Sequence, residues 1–120
     1  MTIVELVRPF AETLDLAVLV TDGDLDRPGP TILYANSAFA RMSGYPVAEI
    51  LGQAPRRLQG PGTSRQAARA VTRQLRTGGR FHGVLENYRK AGEAYLCEID
   101  VRPIRGPDGQ PTAFIAFERR

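Results

Sequence analysis

The chain has 120 residues, a formal net charge of +3 and one cysteine, Cys97. That length gives one domain with a real hydrophobic core. A single cysteine excludes an intrachain disulfide framework and a multi-cysteine metal site. No apolar run approaches a membrane span and the N-terminus has no signal-peptide pattern, so a cytoplasmic protein is expected.

The first predicted element is a helix over residues 2–14, with Thr2 as cap and Glu5 closing a capping box. Ile3, Leu6, Val7, Phe10 and Leu14 form its apolar stripe, and Pro9 is expected to kink or interrupt it. Leu16 to Thr21 reads as a strand, apolar at both parities and therefore covered on both faces. A polar loop over residues 22–30 leads to a short strand over 31–35. Asn36 caps a short helix that ends before Ser43-Gly44-Tyr45-Pro46, and Val47 to Leu51 adds another helical turn.

The stretch Gly52-Gln53-Ala54-Pro55-Arg56-Arg57-Leu58-Gln59-Gly60-Pro61 follows. Thr63 or Ser64 caps the next helix, predicted to run to Arg76, with Ala68, Val71 and Leu75 inward. Arg65, Arg69, Arg73 and Arg76 are expected on its outer side. Between Ile50 and Leu85 lie seven arginines and no acid, a block suited to phosphate or another anion, though a solvated helix face is its commoner use.

Three strands complete the chain. They cover residues 81–89, the alternating run that places Tyr95, Cys97, Ile99, Val101 and Pro103 on one face, and residues 111–118. Short turns at Ala91-Gly92 and Gly106-Pro107-Asp108-Gly109 make the three antiparallel. The fold class is α+β, with a flanking helix over 1–15 and a core over 16–120. The first and last strands leave Leu16, Val18, Val20, Ala113, Ile115 and Phe117 on the face away from the helices. The flanking helix or a second copy of the chain is expected to cover them, as a dimer and signalling face.

Several strings then carry a resemblance. Ile32-Leu33-Tyr34-Ala35-Asn36-Ser37-Ala38-Phe39, Ser43-Gly44-Tyr45, Glu49-Ile50-Leu51-Gly52, Leu58-Gln59-Gly60-Pro61 and Asn87-Tyr88-Arg89-Lys90 resemble PAS sensory domains, and among them the LOV (light, oxygen, voltage) flavin photosensors. The resemblance implies the PAS fold: a five-stranded antiparallel sheet with short helices on one face. It implies a structural salt bridge between Glu49 and Lys90. It also implies that the photoactive cysteine of Gly-Arg-Asn-Cys-Arg-Phe-Leu-Gln-Gly falls on Pro55, where no nucleophile remains for a flavin adduct.

The other flavin positions implied by the resemblance are mixed. Arg56, Gln59 and Asn87 are retained. Ala54 replaces an asparagine, Thr72 an arginine, Cys97 a second asparagine and Glu118 a glutamine. Cys97 is only a weak donor, and an ionised Glu118 would offer acceptors alone unless it kept its proton. The resulting expectation is a LOV-derived sensory PAS module without adduct photochemistry, a ligand-sensing or dimerising part of a protein such as a histidine kinase. No cofactor is expected, with FMN as the alternative. That alternative is a blue-light or redox sensor working by photoreduction, with Tyr34 and Tyr45 as electron donors by type. A basic nucleic-acid binder is a second alternative, disfavoured because no aromatic residue is interleaved with the arginines. No enzyme is expected, since no paired carboxylates or nucleophile with a histidine partner occur.

Overall fold

A computed structural model describes residues 1–26 and 28–120. Helix α1 (Ile3–Ala11) precedes strands β1 (Ala17–Asp22) and β2 (Ile32–Ala35). Helices α2 (Ser37–Ser43) and α3 (Val47–Ile50), a 3₁₀ segment (Pro55–Leu58) and helix α4 (Arg65–Arg76) come next. Strands β3 (Phe81–Tyr88), β4 (Ala94–Arg105) and β5 (Pro111–Arg119) close the chain. The sheet order is β2-β1-β5-β4-β3, antiparallel throughout, so the last strand runs beside the first.

The Thr2–Glu5 capping box starts α1, and the helix passes through Pro9. The missing N–H of Pro9 leaves only the Glu5 carbonyl without its helical donor, and Glu5 is exposed to water. The helix ends three residues earlier than the apolar stripe suggests. Thr13 and Leu14 instead form tight turns onto the Phe10 and Ala11 carbonyls.

Alternation divides β1 between two cores. Ala17 and Leu19 join Phe39, Ile50, Leu58, Leu75, Phe81, Leu85, Ile99, Val101 and Phe114 under the helices. Val18 and Val20 point the other way and pack with Ala11, Tyr34, Ile3, Val4, Val7, Ile115 and Phe117. Of the two covers expected for this outer face, the flanking helix is the one that lies over β1. Val18 and Val20 are at most 1% exposed because α1 of the same chain lies over them.

Beyond α1 the outer face changes character. Across β3, β4 and the end of β5 it carries two charged triads, Arg80–Asp100–Arg102, with Arg80 just before β3, and His82–Glu98–Arg119. The two arginines hold the Asp100 carboxyl down to about 2.

One side chain ties these parts together. Asn36 Oδ1 accepts from Phe39 N as the cap of α2 and from Val18 N of β1. Its Nδ2 donates to the carbonyls of Ala11 and Leu16, each at 2.9 Å. All four bonds of a buried amide are thus spent joining the end of α1, the entry to β1 and the start of α2.

Candidate functional site

Between the helices and the inner face of the sheet lies a cavity of about 1110 Å³. That is slightly above the usual range for small-molecule sites. Its apolar wall comes from Leu19, Leu58, Leu85, Ile99, Val101 and Phe114. Leu25 and the Pro28-Gly29-Pro30 segment of the β1–β2 loop border another side, a contribution that the polarity of that loop does not reveal.

The stretch around Pro55 forms the floor of the opening. Pro55, Arg56, Leu58, Gln59, Gly60 and Pro61 all line the cavity, and Pro55 starts the 3₁₀ segment. Gly60 lets the stretch close on the sheet edge, since a Cβ there would stand 2.5 Å from the Tyr88 ring. Gly62 N then donates to Tyr88 Oη at 2.7 Å, and Thr63 Oγ1 donates to the Glu86 carbonyl. Thr63 is therefore the clasp of this loop, while Ser64 caps α4. Ala54 does not border the cavity, and Arg57 also lies outside the lining.

Helix α4 brings more to the cavity than its periodicity implies. Only Leu75 is fully buried, so the helix stands off the sheet and its long side chains reach round the apolar line. Arg65, Arg69, Thr72, Arg73 and Arg76 all line the cavity and are exposed, which puts them at its mouth with Arg56. The exposure of the α4 arginines is what the helical spacing implies; that they also border the cavity is not legible in that spacing. Arg76 pairs with Asp26 at 3.0 Å. The described residues offer Arg56, Arg65, Arg69 and Arg73 no acid within ion-pair distance.

The far wall is polar and buried. Asn87 from β3 and Glu118 from β5 line the cavity at 3% and 4% exposure. Cys97 is completely buried behind them, outside the lining, and its Sγ donates to Glu118 Oε1 at 3.5 Å. Burial pushes the Cys97 thiol far up, so no thiolate forms near neutral pH. Burial also lifts the Glu118 carboxyl to about 7. Tyr95, paired across the ladder with Asn87, has a buried hydroxyl with no hydrogen-bond partner of good geometry. The sequence marks Tyr95 only as part of an inward face, so its place in this cluster was not foreseen.

Other expected site residues fall elsewhere. Lys90 Nζ meets Glu49 Oε2 at 2.7 Å, joining α3 to the β3–β4 hairpin with both side chains half exposed. Tyr34 lies under α1 and donates to Glu12, and Tyr45 packs beside the inner core. Neither tyrosine borders the cavity.

A PAS domain family model matches residues 15–119, and the chain belongs to that family. It is 33% identical over 110 residues to a nitrogen fixation regulatory protein of Klebsiella oxytoca, covering 92% of this chain and 21% of that one. It is 34% identical over 114 residues to a blue-light-activated histidine kinase of Rhizobium johnstonii, covering 95% and 32%. An RNA-binding light-oxygen-voltage receptor superposes with a TM-score of 0.86 at 27% identity, over 98% of this chain and 32% of that one. A light-oxygen-voltage domain studied with a flavin analogue gives 0.82 at 26%, over 99% and 84%. The chain is thus a PAS sensory domain whose structural neighbours are LOV domains. It spans about a fifth to a third of the length of the two curated relatives.

Proposed function

We propose that this chain is the sensory module of a larger signalling protein and binds a flavin nucleotide without covalent attachment. The carrying observation is the cavity itself: large, with an apolar wall, and ended by the buried Asn87 and Glu118, while the neighbouring Tyr95 hydroxyl, outside the lining, finds no hydrogen-bond partner among the described residues. Such groups are costly without a partner, and this weighs against a cofactor-free domain. An isoalloxazine offers donors and acceptors to Asn87 and Glu118, and its phosphate suits Arg56 and the arginines of α4. A bound flavin would supply visible absorption and electron exchange.

Pro55 stands where the resemblance places the photoactive cysteine, and Cys97 is outside the cavity, so the light chemistry proceeds without a thiol adduct. The relation to histidine kinases supports an effector of that kind, in the cytoplasm. An absorbance spectrum of the purified protein, before and after excess FMN, tests the reading. The expected result is a structured blue band that co-elutes with the protein and is released on denaturation. A colourless protein that takes up no flavin overturns it. Blue illumination of Cys97→Ala should change the spectrum as it changes that of the parent.

A second copy of the chain would pair through the outward side of α1, where Leu6 and Phe10 are 53% and 69% exposed. Sedimentation should show a dimer that Phe10→Asp dissociates; a monomer at high concentration removes this part of the proposal.

A further inference from the structure

The cavity wall carries a buried carboxyl, Glu118, that forms no ion pair among the described residues. Glu118 enters the cavity wall from β5, and its only hydrogen-bond partner among the described residues is the Cys97 thiol. Each surrounding element contributes a neutral or otherwise engaged neighbour. β4 supplies Cys97 and Tyr95, both pushed up by burial and therefore protonated. β3 supplies the uncharged Asn87, and β1 places Ala17 opposite Glu118 in the ladder. On the chain-end side a smaller pocket shares Glu118 with Asp15, Arg119 and Arg120. Arg119 is engaged by Glu98 at 2.7 Å, and Arg120 lies over the Tyr95 ring, 5.2 Å from its centre. The arginines at the mouth form no ion pair with Glu118.

A buried carboxyl without a cation keeps its proton. Oε1 receives the thiol, and Oε2 takes no donor from the described residues. The neutral acid therefore has a hydroxyl to offer on the cavity side. An amide at this place would donate at every pH; an acid donates only while protonated, and once ionised it sets an acceptor against an acceptor.

We infer that Glu118 is a specificity-determining hydrogen-bond donor to the ligand, so that binding requires a proton on this residue. The ligand class is a planar heterocycle with a carbonyl or imine acceptor turned toward β5. The inference rests on the flavin reading above, and it adds a proton to the binding equilibrium.

Riboflavin is the probe, because it has the ring without a titrating phosphate. Its dissociation constant, read by fluorescence quenching between pH 5.5 and 8.5, should be flat at the acid end. It should then rise about tenfold per pH unit once Glu118 ionises. Glu118→Gln should bind as tightly as the parent at low pH and show no such rise. Carbon-13 NMR of the empty chain should place a glutamate carboxyl, absent from Glu118→Gln, near neutrality rather than in the ordinary carboxylate range. Binding independent of pH in the parent, or the same rise in Glu118→Gln, overturns the inference and leaves the flavin reading standing. An ordinary carboxylate titration for Glu118 overturns it as well, whatever binds. No binding by either protein at any pH overturns both readings.

Discussion

Two buried polar side chains show how context decides what a residue type does. Among the described residues Asn36 has four good partners and Glu118 has one. The first is a structural joint. Replacing it by alanine would leave the Val18 and Phe39 amides and the Ala11 and Leu16 carbonyls without their partner, some in places that water cannot reach. Asn36→Ala should therefore lower unfolding stability by about 2–4 kcal/mol, measured by urea titration, since each buried unsatisfied group costs on the order of 1–3 kcal/mol. Asn36→Asp should fare no better, because an ionised carboxylate cannot donate to the two carbonyls.

Glu118 makes the opposite prediction about pH. Its folded value, about 7, lies above the ordinary carboxyl value of 4.5, so between those limits the folded chain holds a proton that the unfolded chain has lost. Its contribution is fully present below about pH 4.5 and is lost as pH rises through about 7. Thermal unfolding of the empty protein should show Glu118→Gln matching the parent near pH 4 and exceeding it at pH 8. The gap corresponds to up to about 3 kcal/mol. Equal stability at both pH values would contradict a buried, unpaired acid.

At the scale of elements, alternation and spacing were informative about faces and silent about neighbours. The pattern in β4 put Tyr95, Cys97, Ile99 and Val101 inward, and they are buried there. The double-sided character of β1 correctly implied cover on both faces. Which element provides it is decided by bonds between distant residues: Asn36 to Ala11, and Tyr34 and Ser37 to Glu12. Local pattern does not encode such contacts. The same limit explains α4. Its apolar line was legible, but whether arginines beside that line face water or a cavity depends on how far the helix stands from the sheet. Of the site itself, Arg56, Gln59, Asn87 and Glu118 could be read from the resemblance and do border the cavity. Thr72 borders it as well, Cys97 does not, and the β1–β2 loop and Tyr95 gave no signal that periodicity could detect.

For the whole molecule, the sheet order places β5 at the centre, between β1 and β4. One strand therefore shows Glu118 to the cavity and Ile115 and Phe117 to the layer beneath α1. A change of hydrogen bonding at Glu118 would strain a strand that both faces share, a short path from ligand to surface. Hydrogen exchange should register it. Flavin addition should slow exchange in β5 and at the end of α1 together, and slowing confined to residues 55–61 would contradict that coupling.

The arginines at the mouth bear on speed more than on grip. Arg56, Arg65, Arg69 and Arg73 are exposed and have no acid within ion-pair distance among the described residues, so they project a positive field over roughly one Debye length, about 8 Å at physiological ionic strength. A phosphate-bearing ligand meets that field before it touches the polar wall. Capture from dilute solution is then steered electrostatically, while residence is governed by the buried end of the cavity. In stopped-flow mixing, Arg65→Gln with Arg69→Gln should slow FMN association about tenfold at low salt and leave dissociation nearly unchanged. Raising the salt should erase the difference. On the proposed flavin reading, a cell that lets its ionic strength or free flavin pool vary would alter how quickly this module fills, without altering how long it stays filled.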